Sequence, residues 1–196
     1  MNPYPPRFLA LYHECDGPVV DLGCGPARPE TVTMDRLTNV DLDVTGIPNG
    51  VAGDVGQDRG VPLPTATFDL ALSAAVLEHV PTPLTHLQEA WRLLKMGGLL
   101  YVAAASMQPL HEVPGHFFGI YPDGLRRLLV ASWFEVIDEG VEGRLVDMVP
   151  WLRLLAPGPD DVWEQVESGL AALYRPPDAG RVFATGCWAV ARKIVP

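Results

Sequence analysis

The chain has 196 residues, 48% of them hydrophobic, and a formal net charge of −10. That length suits a single domain, expected over residues 1–196, and the acidic balance disfavours long-range attraction to nucleic-acid phosphates, since there is no Lys/Arg cluster larger than a pair such as Arg126-Arg127. No signal-peptide pattern and no apolar run near the ~20 residues of a membrane span is present, and three cysteines without a CxxC pair (Cys15, Cys24, Cys187) favour reduced thiols over a disulfide framework or a zinc site, so the sequence predicts a cytoplasmic protein with neither a membrane nor a nucleic-acid partner.

In chain order, residues 5–14 read as a short helix leading into a strand at 18–22. Val19-Val20-Asp21-Leu22 then runs into Gly23-Cys24-Gly25-Pro26-Ala27, a buried strand stopping at a turn poor in side chains, where a ligand can lie on the backbone. Pro26 and Pro29 leave little room for a full helix before the next strand, read at 31–35 from Thr31-Val32-Thr33-Met34 and ending on Asp35. Further strands are expected at 50–53, 68–73, 98–104, 134–138 and 183–192. A helix is predicted over 82–95, with Thr82 as cap, Pro83 in the first turn, and Leu84, Leu87, Trp91 and Leu94 at 3-4-3 spacing. Lys95-Met96-Gly97-Gly98 is expected to end it. A second helix is expected over Pro122–Ala131, with Leu125, Leu128 and Leu129 inward. The alternation of strands and helices favours an α/β fold with a mostly parallel sheet.

Residues 141–181 stand apart as a helical insertion before the last strand. They hold an apolar run from Val146 to Leu155 with Trp151, a Pro-Gly-Pro break at 157–159, and an amphipathic run from Asp160 to Leu173 before Pro176-Pro177. Val149, Trp151, Leu152, Leu154 and Leu155 are open to three readings: packing on the body, a lid over an apolar acceptor, or a dimer contact. Val162, Val166, Leu170 and Leu173 are expected to hold their helix to the body.

Four strand ends carry a distinctive set: Gly23-Cys24-Gly25, then Asp35, then Gly53-Asp54-Val55, then Ser73-Ala74 closing Phe68-Asp69-Leu70-Ala71-Leu72. In an open α/β sheet, ligands bind beyond such carboxyl ends. With Val-Leu-Glu-His-Val at 76–80 and the segment Glu89 to Leu100, this text, over roughly residues 19–105, resembles the class I S-adenosylmethionine (SAM)-dependent methyltransferases, specifically their type 11 group. The resemblance implies a Rossmann-like seven-stranded sheet, order 3-2-1-4-5-7-6 with the last strand antiparallel and helices on both faces. It also implies SAM as cofactor and methyl transfer by in-line displacement to a small-molecule acceptor, in a monomer or homodimer. The cofactor-binding set it implies is Asp21, Gly23, Cys24, Gly25, Asp35, Asp54, Val55, Ser73 and Ala74. Asp21 would order the ammonium group or simply stabilise the turn. Asp35 would take the ribose hydroxyls, with Asp41 or Asp43 as alternatives. Asp54 and the Val55 amide would meet adenine, and Ser73 and Ala74 would leave room beneath the sulfonium. The chain departs from the family pattern at Ala27, Met96 and Ser132-Trp133-Phe134.

For a base or orienting group the candidates are His116 and His79. The segment 106–121 gathers His111, Glu112, His116 and Tyr121 beside aromatics and should overhang the cofactor. No metal is expected. His111 and His116 are five apart rather than four, and Pro114-Gly115 forbids the helix that a zinc-protease signature requires. His13 and His86 read as surface or packing residues. A nicotinamide enzyme is disfavoured because Arg28 stands where the third glycine of Gly-x-Gly-x-x-Gly would be. A protein that binds SAM without turnover is the remaining alternative.

Overall fold

The computed structural model describes residues 4–26, 35–111, 115–173 and 184–196. The expectations placed on residues 31–34, Ala27, Arg28, Glu112, Pro176-Pro177 and the start of the last strand at 183 lie outside these residues.

Seven strands form one sheet in the order β3-β2-β1-β4-β5-β7-β6. They are β1 (Val19–Leu22), β2 (Leu37–Asp41), β3 (Gly50–Ala52), β4 (Phe68–Ala74), β5 (Leu94–Ala105), β6 (Phe134–Glu142) and β7 (Gly186–Lys193). The pairs β1–β2, β1–β4, β2–β3 and β4–β5 are parallel, and β7 runs antiparallel to both β5 and β6. The expected topology is thus present.

The period-2 alternation of the strands separates two cores. Val19, Leu70, Leu72, Tyr101 and Val190 point to one face, where α1 (Pro6–Glu14) covers them with Phe8, Leu11 and Tyr12. Val20, Leu22, Ala71, Leu100 and Val102 point to the other, where α2 (Pro83–Leu93) and α3 (Pro122–Ala131) supply Leu87, Ala90, Leu93, Leu125 and Leu129. Strands buried on both faces read as near-continuous apolar runs, which is why β1, β4 and β5 are visible in the sequence.

The second strand corrects the sequence reading. Strand β2 is Leu37–Asp41, and Asp35 is an exposed turn residue that precedes it. Asn39 sits inside this strand at 1% exposure, its amide donating to the Pro48 carbonyl at 2.7 Å. Helix α2 also ends earlier than expected. Lys95–Gly98 belongs to a bulge at the start of β5, where the pairing with β4 shifts register, and Gly97 takes φ +78° there. Thr82 occupies the N-cap of α2 without a side-chain capping bond, while Pro83 fills the first turn as expected.

After β6, a 3₁₀ turn at Leu145–Met148 leads into α4 (Val149–Leu155) and α5 (Asp160–Leu173). Val146, Met148 and Val149 are buried, but Leu154 is 87% exposed and Trp151, Leu155, Val162 and Val166 are exposed too. Leu154, Leu155, Val162 and Val166 are therefore not buried against the body.

Candidate functional site

The carboxyl ends of β1, β2, β3 and β4 open on a cleft of about 930 Å³, lined among others by Gly23, Gly25, Asp41, Asp43, Asp54, Val55, Ala74, Ala75, His79, His111 and Phe117. It lies where the chain order reverses: β1 has β2 on one side and β4 on the other, which leaves a crevice between outgoing loops.

Gly23 builds the floor. It takes φ +80°, and a Cβ there would stand 2.5 Å from Val76 Cγ2, so only glycine fits this turn. The Gly23 and Cys24 amides both donate to the Val40 carbonyl, at 2.8 and 3.1 Å, and tie the turn to β2. Asp41 closes β2 inside the cleft. Its Oδ2 accepts from the Gly25 amide at 2.8 Å and its Oδ1 from the Leu42 amide at 2.7 Å. Each carboxylate oxygen has two acceptor positions, so one remains on each. Asp43, also on the wall, accepts from the Thr45 amide at 2.9 Å, and the Thr45 hydroxyl and amide together hold its carboxyl below the usual carboxylate range.

At the end of β3, Asp54 accepts from the Gly56 amide at 2.9 Å and the Gln57 side chain at 2.7 Å. It therefore shapes its own turn while lining the cleft beside Val55. Beyond β4, Ala74 and Ala75 present only methyl groups to the cleft. Ala75 takes φ +57°, an uncommon backbone conformation for a non-glycine residue.

Several expected site residues stand elsewhere. Asp35 lies at the amino end of β2, across the sheet from the cleft, because the strand begins two residues after it and ends on Asp41. Ser73 is fully buried and its hydroxyl donates to His86 Nε2 at 2.8 Å, so it faces inward rather than into the cleft. The His86 Nδ1–H donates to the Val55 carbonyl at 2.9 Å, and burial pushes this ring's pKa down to about 4. His86 thus braces the floor from behind. Asp21 and Cys24 are buried and, among the described residues that line the cleft, do not appear.

The histidines form a cluster at one end of the cleft. His79, in the 3₁₀ turn Leu77–His79 after β4, and His111, in the segment after β5, both line the wall. His116 does not. It sits behind them, its ring 5.4 Å from His79 and 4.4 Å from His111, its Nδ1 accepting from the His111 amide at 3.3 Å. The segment is pinned: the Phe117 amide donates to the Glu78 carbonyl at 2.8 Å, and the Ser106 hydroxyl to the Ile120 carbonyl at 2.7 Å. Trp151 of α4 packs edge-on against His111 at 5.5 Å.

The cofactor implied by the sequence can be tested against this geometry. A side-chain-free floor at Gly23–Gly25, a carboxylate with one open position on each oxygen, an acid at the next strand end and two alanines at the fourth all fit a nucleoside with a sulfonium side chain. Sequence reasoning favoured Asp35, which stands away from the cleft, kept Asp41 only as an alternative, and passed over Ala75. The signal for Asp41 was present as Val40-Asp41, an apolar residue followed by an acid.

Comparisons with known proteins agree. A family model described as a methyltransferase domain matches residues 20–102. A candidate methyltransferase of Encephalitozoon cuniculi (strain GB-M1) is 32% identical over 170 residues, covering 69% of this chain and 79% of that protein. Among solved structures, a SAM-dependent methyltransferase from Archaeoglobus fulgidus matches with a TM-score of 0.63 at 16% identity, over 95% of this chain and 90% of the other. The 1,6-didemethyltoxoflavin-N1-methyltransferase of Burkholderia thailandensis, bound to 1,6-didemethyltoxoflavin and S-adenosylhomocysteine, matches with a TM-score of 0.60 at 19% identity, over 96% and 76%.

Proposed function

The chain belongs to the class I SAM-dependent methyltransferases, in their type 11 group, and on that premise we propose that Gly23–Gly25, Asp41, Asp54, Val55, Ala74 and Ala75 hold the donor while a small molecule accepts the methyl group beside His79, His111 and Phe117. SAM is the cofactor, and when bound it supplies an already activated methyl group. What remains for the protein is to align the acceptor and exclude water.

Asp41 binds the ribose diol through the one open acceptor position on each oxygen. Asp54 and the Val55 amide meet the adenine edge. Ala74 and Ala75 keep the space above β4 free of bulk, where an acceptor must approach in line. Buried Asp21 supports the ammonium end from beneath the turn. Phe117 and Trp151 give the acceptor side an aromatic wall, and His79 and His111 are the polar groups that orient it. A small acceptor suits a cleft of this size, as does the Burkholderia relative's complex with 1,6-didemethyltoxoflavin.

The observation that carries this reading is the position of Asp41, at the carboxyl end of β2 with both oxygens half satisfied. Asp41→Ala is expected to weaken S-adenosylhomocysteine binding by about 1–3 kcal/mol, measured by titration calorimetry, while Asp35→Ala leaves it unchanged. Full affinity in the Asp41 variant would overturn the assignment.

A further inference from the structure

We propose that Glu78, His79 and His111 form a site for a divalent transition-metal cation, with Zn²⁺ the best match, opening onto the acceptor side of the cleft. His79 Nδ1 is 2.9 Å from the Gly115 carbonyl and His111 Nδ1 is 2.9 Å from the Pro109 carbonyl. A carbonyl oxygen only accepts, so both Nδ1 atoms carry the hydrogen and donate. In a neutral imidazole Nε2 is then the acceptor nitrogen, the atom through which such a ring binds a metal. The two Nε2 atoms face each other at 3.1 Å. Two nitrogens on one tetrahedral zinc, each 2.0–2.1 Å from it, stand about 3.3 Å apart, close to the spacing seen here.

Glu78 supplies the independent observation. It is 1% exposed, and its Oε2 is buried with no hydrogen-bond partner among the described residues. A buried carboxylate oxygen without a donor is costly, and a cation is the partner that such an oxygen lacks. Ligand atoms from Glu78, His79 and His111 all lie within 4.8 Å of one another. That is wider than a closed zinc shell, so the Glu78 carboxyl swings inward by about 1 Å on binding.

The surroundings are those of a metal site. Both ligand imidazoles donate Nδ1–H to a backbone carbonyl, the outer bond that fixes tautomer and ring orientation for metal-bound histidines. Two imidazoles and one carboxylate suit Zn²⁺ and leave a fourth position free. Because His79 and His111 line the cleft, that position faces the acceptor. His116 is then a positioning residue, its ring against both ligands and its Nδ1 on the His111 amide. The cation's role rests on the methyltransferase reading above: it binds an acceptor oxygen and eases the loss of its proton to solvent.

The test uses the full chain after treatment with a chelator, titrated with ZnCl₂ by calorimetry and with CoCl₂ by visible absorption. The expected result is one equivalent of Zn²⁺ bound at micromolar affinity or tighter, and a Co²⁺ spectrum of four- or five-coordinate type. His111→Ala and Glu78→Gln should each weaken Zn²⁺ binding at least tenfold, and His13→Ala, on exposed α1, should not. Glu78→Gln keeps the side-chain volume, and thermal melts verify that each variant is folded. S-adenosylhomocysteine binding is followed in the same preparations. Asp41→Ala should lose the nucleoside and keep the metal, and His111→Ala the reverse, so failure of one reading is separable from failure of the other. Absence of saturable stoichiometric uptake, or uptake that His111→Ala and Glu78→Gln leave unchanged, would overturn the site. So would an NMR spectrum in which one of the two rings carries a second proton and Zn²⁺ does not displace it.

Discussion

His86 sits fully buried beneath the cleft, its two ring nitrogens committed to the Ser73 hydroxyl and the Val55 carbonyl. Burial lowers its pKa from 6.5 to about 4. Between those values the unfolded chain binds a proton that the folded chain refuses, so this residue's contribution is full above pH 6.5 and is lost as pH falls towards 4. The loss should approach about 3 kcal/mol. Urea unfolding at pH 7.5, 5.5 and 4.5 should show this slope, and His86→Gln should flatten it relative to the parent. The sequence marks His86 only as a packing residue, because its partners come from two other segments, 13 and 31 residues away. Asp41 ranked behind Asp35 for a different reason. Thr31-Val32-Thr33-Met34 has the β-branched look of a strand, whereas β2 carries Thr38 and a buried Asn39 in its middle and so gives a weaker propensity signal. Glycine turns suffer no such ambiguity: Gly23 was legible because no other residue takes its φ against Val76.

At the level of elements, α2 owes its placement to charge as much as to Leu87, Ala90 and Leu93. Glu89 is 2% exposed, and both of its oxygens accept from Arg92, at 2.7 and 2.8 Å. Arg92 also donates to the carbonyls of Val61 and Leu63, and Glu89 accepts from the Val61 amide, so the pair clamps the loop before β4 onto the helix. Removing one partner leaves a buried charge uncompensated. Arg92→Ala is therefore expected to cost about 3 kcal/mol or more in chemical denaturation, and Glu89→Gln/Arg92→Met together less than that single change. The 3.6-residue periodicity located α2, but not this clamp, whose acceptors lie on a loop without periodic signal. In the other direction, α4 shows what periodicity cannot say. Its apolar residues were equally compatible with core, lid or dimer, and only the position of Trp151 against His111 favours a lid. Trp151→Ala should raise KM for the acceptor several-fold with little change in the KM for SAM, as steady-state kinetics with each substrate varied would show.

For the molecule as a whole, the order of the sheet followed from a family resemblance, not from any single contact. Alternating burial along β1, β4 and β5 splits the interior into two layers, and that pattern survives in the sequence because every strand residue must choose a face. The acceptor is illegible at this scale: it touches segments whose geometry the chain's periodicity does not encode. Ligand linkage gives a global check on the cleft. A nucleoside that binds only the folded state at a hundred times its Kd stabilises by about 2.7 kcal/mol. S-adenosylhomocysteine should accordingly raise the Tm by several degrees in the parent chain and far less in Asp41→Ala, read by scanning calorimetry.

Helices α4 and α5 follow the 3₁₀ turn at Leu145–Met148 and keep most of their apolar side chains in water, while both interior layers are complete without them. Selection can therefore rewrite these two helices with little penalty to folding. On the proposed reading the donor's berth is anchored to the strands below, so rewriting these helices would change which molecules are received and not how the methyl group is delivered.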